Sequence, residues 1–474
     1  MNAAGYNFFA FGVLAAWVPV ILALFAILPA RRAVIASFLF GYLFLPDMNI
    51  VFHTLPDVNK VSLTAFGVIL GSLIFDGGRL FAVRPRLIDL ACLVLCFCPV
   101  VTSLTNGLGL MDGLDASINL IFRWGFAYWI GRAYFTDWEG MRELALGIIL
   151  GGLVYAPLCW WEIRMSPQLH GQIYGWLFQS FRTDSNLFGY RPNVFLADGL
   201  TVTMFMGMTA LLAFWFWLVS APRHLFGVPM GWIALFLIVT TIFCKAFGGM
   251  VLMGSGMGAL MAVKYSRTKV AVLILMLIGP AYMITRSTGD WSGNRLVELI
   301  GYYSETRAQS FGFRLHNEDL LAAKALQQPW FGWGGWSRSH VFDEWGKDLT
   351  IVDGLWIILL GEHGIVGLAS FCLMVLGSAY LLWKRIPTRY WIDAACAAPV
   401  ALAVVITLYV IDGLANATFN PVASLAVGAV ASMSFVAKRT FAPQPLRVAR
   451  ALVQPAAVVS SIKDLPYAYS PSRP

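Results

Sequence analysis

Charge is what this 474-residue chain has least of: 12% of it is Asp, Glu, Lys or Arg, against about 25% in an ordinary soluble domain. That excludes a soluble globular class and, with 59% hydrophobic residues, a disordered one. Cysteine is sparse too. Cys92, Cys96, Cys98, Cys159, Cys244, Cys372 and Cys396 all fall in apolar runs, with no His or Asp at ligand spacing. They read as small buried hydrophobes and indicate neither a disulfide framework nor a metal site. No basic residue precedes the first apolar run, 8–30, and Arg31-Arg32 follow it. The run is too long for a signal-peptide core and reads as an uncleaved first span. No internal repeat supports an inverted-repeat transporter.

What is present is one apolar run after another, many of roughly 17–25 residues, enough to cross about 30 Å of hydrocarbon. The chain reads as an all-α polytopic membrane protein with about 12–13 transmembrane helices. Thirteen runs serve as spans: 8–30, 33–46, 61–76, 88–104, 115–134, 143–161, 198–219, 226–244, 247–263, 269–285, 355–383, 393–411 and 420–437, with Pro46 and Lys245 blurring two boundaries. Arg31/Arg32, Arg79/Arg84/Arg86, Arg132/Arg142, Arg223, Lys264/Arg267/Lys269 and Lys384/Arg385/Arg389 then share one side. The positive-inside rule makes that side the cytoplasm and accounts for the net charge of +8 without nucleic acid. The loops 162–197 and 286–352 fall outside. Residues 1–437 form the membrane domain, and 438–474 form a mostly disordered cytoplasmic tail rich in Pro, Ser, Ala and Val.

The segment 313–368 holds a polar island: Arg314, His316, Glu318, Asp319, Arg338, His340, Asp343, Glu344 and Asp353. Charged residues so placed must face water or line a cavity, so chemistry is expected there. Asn317-Glu318-Asp319 reads as the start of a short helix over 319–327, lying flat on the outer membrane surface. Trp330, Phe331, Trp333 and Trp336, interleaved with Gly332, Gly334 and Gly335, form either an interfacial aromatic belt or a sugar-stacking platform. Ser337-Arg338-Ser339-His340 suits an anionic group. Asp-Gly-Leu recurs at Asp112, Asp198, Asp353 and Asp412, the first three at helix starts, where a carboxylate caps free N–H groups. Asp412, at a helix end, is expected in a polar cluster with Asn416 and Asn420.

Cations are expected to be scarce outside, yet Arg164, Arg182, Arg191, Lys245, Arg286, Arg295, Arg307, Arg314 and Arg338 fall there. Several Arg and Lys on one external cavity would suit a pyrophosphate, which Arg grips in bidentate fashion. Lys245 and Arg191 are equally readable as snorkelling residues.

In the large external loop, Arg314, Pro329-x-Phe331-Gly332-Trp333-Gly334 and Leu359-Leu360-Gly361-Glu362-x-Gly364-Ile365-Val366-Gly367-Leu368 resemble the O-antigen ligase and polymerase superfamily of bacterial envelope glycan transferases. Arg191-Pro192-Asn193-Val194-Phe195 and the Lys245 turn before Gly248-Gly249 are similar to weaker signatures. The main likeness covers roughly residues 310–370. It implies transfer of a glycan from an undecaprenyl-diphosphate carrier to an acceptor glycan or glycolipid, at the periplasmic face of the inner membrane, with no cofactor, nucleotide or metal. Chain-length regulator or flippase partners would follow from it. On these residues Arg191, Lys245, Arg314 and Arg338 would hold the diphosphate, and Trp333, Trp336 and Glu318 the sugar. Asp353 would be the base and His316 its rival. Ligases of the family have a His-Asn pair where this chain has Asp353-Gly354, so a polymerase of O-antigen or exopolysaccharide is favoured over a ligase to lipid A-core. A transporter or flippase of a lipid-linked or anionic substrate is the alternative from another class.

Overall fold

A computed structural model describes residues 5–51, 57–177, 189–335 and 337–435, with the side chain of Arg307 set aside. The tail from 438, Trp336 and Arg182 lie outside the described residues. In chain order the helices are α1 (Phe8–Ile27), α2 (Ala30–Phe44), α3 (Lys60–Phe81), α4 (Leu87–Thr105), α5 (Leu110–Leu120), α6 (Phe126–Tyr134), α7 (Trp138–Met165), α8 (Leu169–Tyr174) and α9 (Gly199–Leu218). They continue as α10 (Met230–Phe243), α11 (Phe247–Ser266), α12 (Val270–Ser287), α13 (Asn294–Gly301), α14 (Glu305–Ala325), α15 (Leu355–Cys372), α16 (Ser378–Arg385), α17 (Ala397–Asp412) and α18 (Pro421–Met433). The strands are two short antiparallel hairpins, Asn49–Ile50 with Val58–Asn59 and His224–Leu225 with Val228–Pro229.

Each of the thirteen apolar runs contains helix among the described residues. Eight of the described helices are long and apolar enough to cross a membrane, the 31-residue stretch Leu355–Arg385 through α15 and α16 counting as one; α10, α17 and α18 are shorter apolar helices. The chain is therefore a multi-pass helical membrane protein. Single π-helical turns, Ile121–Gly125 and Leu373–Gly377, join α5 to α6 and α15 to α16.

Burial sorts the helices. α9 is inside the bundle along most of its length, whereas α1 and α12 turn most of their surface outward. α17 and α18 are buried almost throughout. α18 crosses α6 where both carry glycine: a Cβ on Gly131 would lie 2.2 Å from the Leu425 carbonyl oxygen, and one on Gly428 2.0 Å from that of Tyr128. With no hydrophobic drive between helices in lipid, such close backbone approach is the main source of their packing energy. Caps set several helix starts. Asp198 accepts from Thr201 N at 2.7 Å, and Asn420 accepts from Ala423 N at 3.0 Å.

Three helix-start readings are corrected. The helix expected over 319–327 opens at Glu305, because Asn317, Glu318 and Asp319 bond sideways and cap nothing. Ala308, Leu315 and Ala322, seven apart, are buried with Leu321 and Ala325. That stripe seats α14 on α12 and α15, so its apolar side is covered by protein. Asp353 does not cap α15; Gly354 occupies the N-cap position without a side-chain bond. Likewise Asp112 sits inside the first turn of α5 and accepts from Ser103 Oγ at 2.7 Å.

Candidate active site

The turn and the helix that carry the family likeness are locked together. α15 breaks at Gly364 (φ 64°, ψ −166°), a conformation essentially confined to glycine. The break removes the helical bonds from Ile365 and Val366 back to Gly361 and Glu362, and the turn 329–334 replaces them in both directions. Ile365 N donates to Pro329 O at 2.7 Å and Val366 N to Trp330 O at 3.1 Å; Trp333 N donates to Gly361 O at 2.8 Å and Gly334 N to Glu362 O at 3.0 Å. The end of α4 holds the turn from the other side. Thr102 Oγ1 donates to Phe331 O at 2.6 Å, and Asn106 Nδ2 to Gly332 O at 2.8 Å. Irregular backbone inside a bundle must have such partners.

Contact distances explain the glycines. A Cβ on Gly332 (φ 68°) would lie 2.6 Å from the Glu362 carbonyl carbon, and one on Gly364 2.5 Å from Trp330 O. At the start of α15, Trp356 N donates to Gly413 O at 3.1 Å and Leu355 N to Asn416 O at 3.2 Å. The third and fourth Asp-Gly-Leu triplets are thus neighbours. Asp412 is buried and accepts from Asn416 Nδ2 at 2.9 Å and from Thr418 Oγ1, while Asn420 Nδ2 donates to Tyr409 Oη at 3.1 Å.

The candidate residues form three pairs on different helix junctions. Arg314 Nε lies 3.4 Å from Asp353 Oδ2, both side chains 43% exposed, so the expected diphosphate cation and the expected base meet in the open. His316 is exposed on the same helix, two residues on and so roughly 200° round from Arg314. Arg338 Nη1 lies 3.6 Å from Asp112 Oδ2. Lys245, in a left-handed conformation (φ 61°) between α10 and α11, donates to Gly189 O, and Arg191 Nη2 donates to Lys245 O at 3.2 Å.

Two expected sugar contacts have other work. Glu318 accepts from Tyr282 Oη at 2.7 Å, Arg286 Nε at 3.2 Å and Trp356 Nε1 at 3.5 Å. Burial pushes its carboxyl above the ordinary range, partly offset by Tyr282 and Arg286. Arg286 is no ligand cation either. It is buried, and it also binds Asp319 at 2.9 Å, Leu315 O at 2.7 Å and Trp291 O at 3.0 Å, pinning α14 to α12. Trp333 is half-buried; its Nε1 donates to Lys324 O at 2.8 Å and Lys324 Nζ sits 3.9 Å over its ring. Both thus also tie the framework together. The segment 337–350 is stitched by His340 Nδ1, which donates to Asp348 Oδ2 at 2.6 Å. Burial opposes ionisation of Asp348, but bonds from His340 and Thr350 outweigh it and hold the carboxyl below its ordinary value.

Sequence reading gave two acids no role of their own. Glu162, near the end of α7, clamps the segment before α9: Oε1 accepts from Leu169 N at 2.9 Å, and Oε2 from Asn193 N at 2.8 Å and Val194 N at 2.7 Å. This fixes the loop that presents Arg191, whose stem lies where a Cβ on Gly199 would be, 2.4 Å away. The available signal was an acid inside Trp160-Trp161-Glu162-Ile163. The second is Glu362, which interacts electrostatically with Arg123 on the π-turn between α5 and α6.

Compared with known proteins, the chain matches no family model and no curated protein; the likeness rests on its own residues.

Proposed function

We propose that this protein is a glycan transferase of the envelope membrane that uses a polyprenyl-diphosphate-linked glycan as donor and an acceptor sugar hydroxyl, at the face bearing the segment 286–352. What carries the reading is the Arg314–Asp353 pair, 3.4 Å apart, just before the start of the broken helix α15. In the reaction the acceptor oxygen attacks the anomeric carbon and the carbon–oxygen bond to the diphosphate breaks. The polyprenyl diphosphate leaves with the electron pair, and Asp353 takes the hydroxyl proton. Arg314 plays two parts in this scheme. While it holds Asp353, the carboxylate is engaged; when the donor's diphosphate takes the guanidinium, the carboxylate is released to act as base. Donor binding thereby arms the site. Lys245 with Arg191, and Arg338, supply further charge against the leaving group.

Asp353-Gly354 in place of His-Asn favours chain polymerisation over ligation to a lipid core. The membrane is the bacterial inner membrane, with this face periplasmic and the opposite, arginine-rich ends of the bundle cytoplasmic. Partners on this reading are the lipid-linked donor, the acceptor glycan, and a flippase or chain-length regulator.

Analysis of envelope glycan from cells carrying Arg314→Ala or Lys245→Ala tests the proposal. Each variant is expected to reach the membrane at normal level and make no extended glycan, and Arg314→Lys to restore little. Normal chain lengths in both alanine variants would overturn it. A second reading has one observation in its favour: a helix broken inside the bundle, as α15 is at Gly364, is also how transporters build sites for anionic substrates. Uptake of lipid-linked glycan by vesicles, unaffected by Asp353→Asn, would favour that reading.

A further inference from the structure

At the other end of α4 from the turn, roughly 28 Å away along a helix of this length, lies a cavity of about 580 Å³ lined by Arg31, Arg79, Arg84, Arg86, Arg132 and Asp137, with Phe435 at its edge. Three of its five arginines are neutralised by acids of the fold. Arg132 is buried and bidentate to Asp89, at 2.8 and 3.0 Å; Tyr128 Oη also donates to that carboxylate, at 2.6 Å. Arg31 pairs with Asp137, and Arg79 with Asp76 at 3.1 Å. Arg84 and Arg86 have no acidic partner among the described residues, and both are exposed. The cavity therefore has a rigid, charge-balanced floor and two uncompensated guanidinium groups at its rim.

Beside it, across the short α3–α4 connection, lies an apolar cavity of about 350 Å³ lined by Ile69, Leu73, Leu80, Phe81, Phe126 and Trp129, among others. Val83 lines both. The backbone of α3 leaves helical geometry at Asp76 (φ −150°, ψ 37°), between Leu73 and Leu80. Phe81 is 81% exposed, so this cavity opens to the bundle's outer surface. A basic cavity sharing a wall with an outward apolar one matches a molecule with an anionic head and a hydrocarbon tail. Basic pockets between helix ends are how membrane proteins hold acidic head groups.

We propose that this is a binding site for an anionic phospholipid, its phosphate against Arg84 and Arg86 and an acyl chain along Leu73, Phe81 and Trp129. It stands independently of the glycan-transfer reading, since none of its residues belongs to that site. Native mass spectrometry of the purified full chain with phosphatidylglycerol or phosphatidylcholine tests it, with inorganic phosphate as a separate arm read by thermal shift. Phosphatidylglycerol is expected to be retained at least about tenfold over phosphatidylcholine, a preference that Arg84→Gln/Arg86→Gln abolishes. Leu73→Trp, which fills the groove and leaves every arginine, is expected to lower retention and keeps the test decisive if the double variant misfolds. Equal retention of both lipids, or unchanged retention in both variants, overturns the proposal. Stabilisation by inorganic phosphate equal to that by phosphatidylglycerol, and unaltered in Leu73→Trp, would make it a free-anion site and overturn the lipid.

Discussion

Substituting Gly332 by alanine isolates the joint between the turn and α15. The added methyl must enter space 2.6 Å from the Glu362 carbonyl carbon and 2.7 Å from the carbonyl oxygens of Gly361 and Glu362. Those atoms are backbone and cannot swing aside, so the turn must lift. Lifting it breaks the bonds from Trp333 N and Gly334 N, and the two α15 carbonyls they satisfy have no helical donor, because the helix is broken below them. Each orphaned group costs about 1–3 kcal/mol, and the left-handed backbone about 1–2 kcal/mol more for alanine than for glycine. The change is therefore expected to cost about 3–8 kcal/mol, seen as an apparent Tm lower by roughly 5 °C or more in detergent. Gly334→Ala should be milder, since its methyl meets only side-chain atoms, Thr102 Cγ2 at 3.2 Å and Leu108 Cδ1 at 3.4 Å. Gly258→Ala, in α11 with nothing within 4 Å, should be neutral or stabilising by up to about 1 kcal/mol. Thermal unfolding followed by fluorescence-detected size exclusion ranks the three. If Gly332→Ala melts with Gly258→Ala, the turn does not hold α15 as argued.

Other outcomes follow from neighbouring parts of the molecule. Glu162→Gln keeps one acceptor oxygen and turns an NH2 towards backbone donors, so it should destabilise by about 2–4 kcal/mol and raise proteolysis of the Arg191 segment; unchanged resistance would contradict the clamp. Cysteines at Tyr303 and Trp345, 87% and 90% exposed, should react with an impermeant thiol reagent from the periplasm, and one at Arg267 should not; the reverse pattern would invert the orientation. Because the folded Asp348 carboxyl lies below its ordinary value, its bond to His340 stabilises the segment at pH above about 4 and is lost as pH falls through the lower folded value. Limited proteolysis should cut 337–350 only in that acid range, and Asp348→Asn should be cut at neutral pH.

Apolar runs announced the helices because each must satisfy its own backbone in lipid, and that requirement leaves a plain mark in composition. The pairing of Arg314 with Asp353 was not legible, since 39 residues separate them, although each was singled out. Glu318 shows why polar residues misled: a carboxylate looks the same in sequence whether it faces a ligand or pins α14 through Arg286. The start of α14 was missed for the same reason, as Asn317, Glu318 and Asp319 resemble a cap but bond laterally in mid-helix. Gly332 and Gly364 were visible as glycines, but that Gly332 admits the backbone of Gly361 and Glu362, and Gly364 that of Trp330 and Phe331, depends on contacts distant in sequence. Glu162 could have been found as an acid following the long apolar stretch of α7 after Glu143, a costly placement that requires donors.

Release of polyprenyl diphosphate from a labelled lipid-linked glycan by purified protein in liposomes tests the central claim most directly. Wild-type protein is expected to lengthen the glycan and release the carrier. Asp353→Asn, folded and equally stable, is expected to be slower by a factor of roughly 10²–10⁴, the usual worth of a positioned base. Carrier release by Asp353→Asn at the wild-type rate would contradict the account.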